Sequence, residues 1–134
     1  MNKLFKTTII GILFLLVPVF AMAASVTGSI QGYQCVTQGI VCPIGKEDAV
    51  AAAENLFVLL VDASKGDYYF IPNVSRNVLV RHLNTQVTVE GTVNAKMKSI
   101  NATDISAAGK KVWSKNLEDA IYKDIWGGGS PSAK

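Results

Sequence analysis

Histidine and cysteine are scarce in this chain, and their scarcity limits the chemistry open to it. The 134 residues include one histidine, His82, and two cysteines, Cys35 and Cys42. A structural zinc site takes about four such ligands, and the sequence contains no HExxH, GxSxG or phosphate-binding glycine loop. No known motif places a serine or cysteine nucleophile beside His82. We therefore expect a protein that is not an enzyme and that binds no metal or cofactor.

The longest apolar run, residues 8–20, lies at the start of the chain rather than in its body. Lys3 and Lys6 precede this run, and the small-x-small sequence Ala21-Met22-Ala23 follows it. The order is typical of a Sec signal peptide over residues 1–23, cleaved after Ala23. An uncleaved anchor is the alternative, but the run is shorter than the roughly 20 residues of a spanning helix, and Pro18 interrupts it. We expect a periplasmic or secreted protein with no stable membrane insertion after cleavage.

An excess of positive charge is also lacking once the leader is set aside. Removing Lys3 and Lys6 from the 13 basic residues leaves 11, against 10 acidic residues, so the mature chain has a net charge of +1. Nucleic-acid binding needs clustered positive charge. We therefore expect no nucleic-acid partner.

The two cysteines lie seven positions apart in the stretch YQCVTQGIVCPIG. In an oxidising compartment such a pair is expected to form a disulfide. Six intervening residues differ from the CxxC spacing of thioredoxin-type motifs, and no histidine follows as in haem attachment. We predict a structural Cys35–Cys42 disulfide. A redox or metal role, and pairing with another chain, are the alternatives.

Apolar periodicity predicts a mainly β chain with short helices. Strand patterns occur in SVTGSIQGYQCV, LFVLLV, YYFI, TQVTVEGTV and SINATDI, with a bulge expected near Asp104. The segments GKEDAVAAAEN and 75–83 predict short helices. This order suits a small OB-fold-like five-stranded barrel over residues 24–114. An amphipathic helix over 115–126 and a flexible tail over 127–134 follow the barrel.

The stretches VTGSIQGYQC, FVLLVDASKGDYYFIP, VLVRHLNTQVTVEGTV and SINATDI occur in that order. Together they resemble the small exported bacterial OB-fold proteins, over about residues 26–105. The resemblance implies a barrel whose face binds a small ligand, in a family that is mostly uncharacterised. The chain departs from some relatives, because the extra cysteines and histidine that suggest a metal site there are absent. The helix and tail after Ser114 lie outside the shared pattern.

An OB-fold binds oligomeric ligands through aromatic and basic side chains on its strands. The candidate ligand-binding residues are Tyr33, Tyr68, Tyr69, Arg76, Arg81 and His82. Adjacent strand residues face opposite ways, so one of Tyr68 and Tyr69 is alternatively a core residue. His82 is alternatively a structural histidine on an apolar helix face.

Two functions from different classes fit these patterns. The first is a non-enzymatic exported binding module of the bacterial envelope, with an unknown small or oligomeric ligand. The second is an accessory subunit of an envelope or extracellular assembly, which docks on a protein partner through the helix 116–126 or the tail. For the apolar stripe Leu117, Ala120, Ile121 and Ile125, packing on its own domain is the simpler expectation, and docking on a partner is the alternative.

Overall fold

The computed structural model describes residues 23–127, and the structural statements below concern this part of the chain. The predicted signal peptide except its last residue, Ala23, and the predicted tail except its first residue, Gly127, lie outside the described residues. Within the described range the chain forms six strands and four α-helices. In chain order these are β1 (Ala23–Gly32), α1 (Tyr33–Thr37), α2 (Glu47–Ala53), β2 (Phe57–Asp62), β3 (Asp67–Phe70), α3 (Arg76–Leu79), β4 (Gln86–Asn94), β5 (Ser99–Ala107), β6 (Lys110–Ser114) and α4 (Lys115–Trp126).

Strands β1 to β5 form a small closed barrel with OB-fold-like topology. Strand β1 pairs antiparallel with both β2 and β4, and β5 pairs antiparallel with β4. Strand β3 pairs antiparallel with β2 and closes the barrel by a parallel contact between Phe70 and Ser99 on β5. Strand β6 continues from β5 as a hairpin. The predicted fold class, a mainly β five-stranded barrel with short helices and a C-terminal helix, is confirmed.

The barrel interior is filled by alternate side chains of the strands and capped by the segment between β3 and β4. On β4, Val87 and Val89 are buried while Glu90 is exposed, as an alternating strand requires. The core also contains Ile30, Phe57, Leu59, Ile71, Val74, Leu79, Leu83, Ile100, Ala102, Ile105 and Trp113. The continuous apolar run of β2 has a second buried face, because Val58 and Leu60 pack on the outer side of the barrel with Val36 of α1.

Two irregularities shape the long β4–β5 hairpin. The pairing shifts between Glu90 and Gly91, which leaves Thr103 as the extra residue of a bulge on β5. Gly91 is required at this point, because a Cβ atom there would collide with the backbone of Asn101 on the neighbouring strand. The predicted bulge near Asp104 is confirmed, one residue away.

The strand prediction is wrong at one place, the segment after Gly32. The pattern SVTGSIQGYQCV predicts a strand that extends to Cys35, whereas the chain leaves the sheet at Gly32 and forms the short helix α1. The backbone NH of Tyr33 still donates to Leu56 O at 2.8 Å. The cause lies outside the segment itself, because the disulfide to Cys42 and a hydrogen bond to the buried Glu54 hold the five-residue helix.

Candidate ligand-binding surface

Helix α1 lies on the outer side of the barrel, fixed there by a disulfide and by a hydrogen bond to Glu54. Cys35 on α1 forms a disulfide with Cys42, with the two Cα atoms 5.5 Å apart. Cys42 is buried, and its backbone NH donates to Gln31 Oε1 at 2.7 Å. Glu54, which is only 5 % exposed, accepts a hydrogen bond from the backbone NH of Gln34 at 2.8 Å. The predicted disulfide is confirmed.

An aromatic cluster forms where α1 meets strands β2 and β3. The ring centroids of Tyr33 and Tyr68 are 5.9 Å apart, and Phe70 lies 5.5 Å from each of them. These separations and their edge-on or tilted angles are those of favourable aromatic pairs. The three rings also contact Val36, Val58 and Leu60, so the cluster has a buried apolar base. All three aromatic residues remain partly exposed.

Lys98 adds a positive charge to one edge of this cluster. Its Nζ atom lies 5.2 Å from the centroid of the Tyr68 ring, within the range of a cation–π contact. Lys98 occupies the turn between β4 and β5 and holds a φ of 47°, in the left-handed region. Burial raises the pKa of the Tyr68 hydroxyl, and the neighbouring Tyr33 hydroxyl raises it further. Tyr68 is therefore a neutral hydrogen-bonding group at physiological pH.

Two cavities flank the aromatic cluster. One of about 160 Å³ is lined by Tyr68, Lys98 and Asp67, with Val61, Tyr69 and Ala95. It combines an aromatic ring with one basic and one acidic side chain. The other, of about 240 Å³, is mainly apolar and is lined by Phe70, Leu56, Phe57 and Pro72, with Arg76 at its border.

The predicted ligand-binding residues do not all come together. Tyr33 and Tyr68 share the aromatic cluster, whereas Tyr69 packs against the barrel core and reaches the site only as part of the lining of the smaller cavity. Arg76 donates to Glu54 O at 2.9 Å and to Ala51 O, and its guanidinium stacks 5.4 Å from the Phe57 ring centroid. These contacts end α2 by satisfying its last carbonyl groups, so Arg76 has a structural role.

Arg81 and His82 belong to the 3-10 turn Val80–His82, next to β4. Arg81 is exposed and His82 is half-buried. Neither side chain has a hydrogen bond or ion pair among residues 23–127, and the cation–π contact found with the cluster comes from Lys98. Their assignment to the ligand-binding face stays a prediction.

Two residues of this surface, Phe70 and Lys98, are not among the ligand-binding residues predicted from the sequence. Phe70 follows Tyr68 by two positions on a strand, and this period of two places both on one face. That signal was available. Lys98 has no comparable signal, because its approach to Tyr68 depends on the closure of β3 onto β5.

Within the described part of the chain we find neither a cluster of metal ligands nor a membrane-spanning helix. Residues 23–127 contain no group of three or more His, Cys, Asp or Glu side chains placed to hold a metal ion. None of the helices in this range has the length and apolar character needed to cross a membrane.

The fold and the surface define a class: a small disulfide-containing β-barrel of OB-fold-like topology with an aromatic cluster on its outer face. No protein-family model, curated protein or solved structure matches the chain.

Proposed function

We propose that this protein is a non-enzymatic exported binding module, and that its ligand is a polar ring compound such as one unit of an oligosaccharide. The single observation that carries the proposal is the pairing of Tyr68 with Lys98 beside Asp67 in one small cavity. An aromatic face binds a ring by stacking, and the two opposite charges offer both hydrogen-bond donors and acceptors. OB-fold barrels use this kind of face for oligosaccharides.

The cavity volume of about 160 Å³ sets the size of what is held. It is below the roughly 300 to 1,000 Å³ of pockets that enclose drug-sized ligands. One ring therefore sits against Tyr68, and the rest of an oligomer extends over the outer surface of the barrel. Affinity for a single ring is low, and binding improves with the number of units.

The experiment is a thermal-shift screen of glucose and amino-sugar oligomers of increasing length, followed by calorimetry on any oligomer that raises Tm. We expect Lys98→Glu to lower affinity at least about tenfold. Lys96→Glu is the matched control, because Lys96 is exposed in the same turn. Equal affinities of the two variants, or the absence of any stabilising oligomer, would refute the proposed surface.

Export is part of the proposal. The Cys35–Cys42 disulfide is compatible with an oxidising compartment, and the leader-like sequence before Ala24 supports the same location. N-terminal sequencing of the accumulated protein is expected to begin at Ala24. A protein that retains Met1, or that accumulates with reduced cysteines in the cytoplasm, would refute export.

A second candidate function is that of a subunit in a larger assembly, with α4 as its docking element. The observation that favours it is the exposure of the apolar stripe of α4, where Leu117 is 62 % exposed and Ile125 is 60 % exposed. The expectation that this stripe covers its own domain is wrong. Exposed apolar groups arranged along one helix face are typical of a protein interaction surface.

A further inference from the structure

Helix α4 is attached to the barrel by its polar side. Lys115, Glu118, Asp119 and Tyr122 are half-buried. Within the helix, Lys115 Nζ lies 2.6 Å from Asp119 Oδ2. One carboxylate oxygen of Glu118 and one of Asp119 are buried without a hydrogen-bond partner among residues 23–127. A surface helix that packs only on its own domain turns its apolar side toward the core of that domain. The observed orientation instead keeps the apolar side available.

The outward side of α4 is a narrow apolar stripe, defined here as Leu117, Ile121 and Ile125. Its members are 62 %, 47 % and 60 % exposed. They are spaced by four residues, so they follow one another along about 12 Å of the helix. The stripe is symmetric about Ile121, with one aliphatic residue a helical turn away on each side. A surface with this symmetry is complementary to itself when the second helix runs antiparallel.

We propose that the stripe pairs with the same stripe of a second copy, so that two α4 helices pack antiparallel around a two-fold axis at Ile121. This proposal rests on the second candidate function, and it names the partner of that docking element. Leu117 of each copy then packs against Ile125 of the other. The antiparallel arrangement also sets opposite ends of the two helix dipoles side by side, which is favourable.

The charged side chains beside the stripe are compatible with a second copy of the chain as the partner. At 100° per residue the nearest charged side chains on its two borders are Glu118 and Asp124. In an antiparallel pair Asp124 lies near the neutral Ala120 and Asn116 of the second copy, so no like charges meet. A lipid surface fits less well, because helices that lie on anionic membranes carry lysine and arginine beside their apolar face.

The size of the stripe determines the strength of the dimer. A 12-residue helix is about 18 Å long and about 10 Å wide, and the contact it offers is smaller than the roughly 800 Å² per partner of a stable interface. The dimer is therefore weak and depends on concentration.

Sedimentation equilibrium of the full chain with its disulfide intact tests the proposal. Between about 10 µM and about 1 mM we expect the average mass to rise toward twice the monomer mass. Ile121→Asp is expected to weaken association at least about tenfold, while Lys123→Asp, on the opposite side of α4, leaves it unchanged. A monomer throughout this range, or equal effects of both variants, would overturn the dimer.

Cysteine crosslinking tests the antiparallel geometry. Ile121→Cys is expected to form a crosslinked dimer by itself, whereas Leu117→Cys crosslinks efficiently only when mixed with Ile125→Cys. Efficient crosslinking of Leu117→Cys alone would mean a parallel pair and would refute the arrangement. Lys123→Cys is the negative control.

One further measurement separates failure of the dimer from failure of the docking function. A photo-crosslinking amino acid at position 121 is placed in the protein in its native cells, and the mass of the product is measured. An adduct with a different protein, or flotation of the protein with anionic phospholipid vesicles, would overturn self-pairing. An adduct with a different protein would leave the docking role of α4 standing. The absence of any adduct would refute both the dimer and the docking role.

Discussion

At the scale of single residues, Glu54 shows how a buried charge organises the candidate surface. Its carboxylate accepts the backbone NH of Gln34 at 2.8 Å, and Gln34 belongs to the first turn of α1. The first NH groups of a helix have no partner within the helix. Glu54 supplies an acceptor for one of these NH groups from 20 residues away. It therefore performs for α1 the role that an N-cap side chain performs locally.

We predict that Glu54→Ala destabilises the protein by about 1 to 3 kcal/mol, because it removes a hydrogen bond between a buried carboxylate and a part-buried backbone NH. Urea unfolding followed by the fluorescence of the buried Trp113 measures this change. Asp48→Ala, at an exposed site on α2, is the control and is expected to stay within about 0.5 kcal/mol of the wild type. A stability loss no larger than that of Asp48→Ala would show that Gln34 finds another acceptor.

The residue scale also shows what the sequence could predict about the candidate site. Strand alternation favours opposite orientations for Tyr68 and Tyr69, which is the alternative to placing both on the ligand-binding face. Arg76 was assigned to the ligand because of its charge. Its actual partners, the carbonyl groups of Ala51 and Glu54, are backbone atoms of another helix, and no local pattern identifies them.

At the scale of elements, the strands were predictable and the orientation of the helices was not. Alternation over TQVTVEGTV and the apolar run LFVLLV depend on each strand's own sequence, and both are strands in the structure. Helix α1 is only five residues long, below the length at which a helix is stable by itself. It depends on tertiary contacts, which a local sequence pattern does not reveal. For α4 the sequence predicted the helix and its stripe, but which side meets the barrel depends on the barrel surface.

The turn between β2 and β3 gives a prediction about pH. Asp62 accepts hydrogen bonds from the Ser64 hydroxyl at 2.6 Å and from the Ser64 and Lys65 backbone NH groups, and it pairs with the Lys65 ammonium. These contacts lower the pKa of Asp62 to about 2. The hydrogen bond from the Ser64 hydroxyl is the main cause, and Lys65 is the second. The stability that Asp62 contributes is therefore present above the unfolded pKa of about 3.9 and is lost as pH falls from there toward 2.

NMR titration of the Asp62 carboxyl carbon is expected to give this depressed pKa of about 2. Ser64→Ala removes the largest contribution, so the Asp62 pKa is expected to rise toward its ordinary value. Ser75→Ala, remote in sequence from the turn, is the control and should leave it unchanged. An Asp62 pKa that is equally low in Ser64→Ala would assign the depression to Lys65 instead.

At the scale of the whole molecule, the barrel and the candidate surface depend on different interactions. The barrel core is a continuous set of apolar side chains from β1 to β6 and the segment before β4. The aromatic cluster belongs to a separate, smaller apolar group on the outside, completed by Tyr33 and Val36 of α1. Because the two apolar groups are separate, we expect that weakening the attachment of α1 loosens the cluster without unfolding the barrel.

We therefore predict that replacing both Cys35 and Cys42 by serine lowers the free energy of unfolding by about 2 to 3 kcal/mol, the value expected for a short closed loop. The barrel is expected to persist, because its strand ladders lie outside that loop, as do all residues of its core except Cys42 and the adjoining Cys35. Far-ultraviolet circular dichroism and Trp113 fluorescence measure the barrel, and NMR contacts between the Tyr33 and Tyr68 rings measure the cluster. We expect the first two signals to be retained and the ring contacts to weaken.

Thr37→Ser, a polar substitution on the same helix away from the disulfide, is the matched control and is expected to change none of these signals. Loss of the barrel signals in the double serine variant would mean that the loop is needed for the whole fold. Full retention of the Tyr33–Tyr68 contacts would mean that Glu54 alone holds α1 in place. If the contacts weaken as expected, we predict that the proposed oligosaccharide binding weakens with them, because Tyr68 then lacks the support of α1.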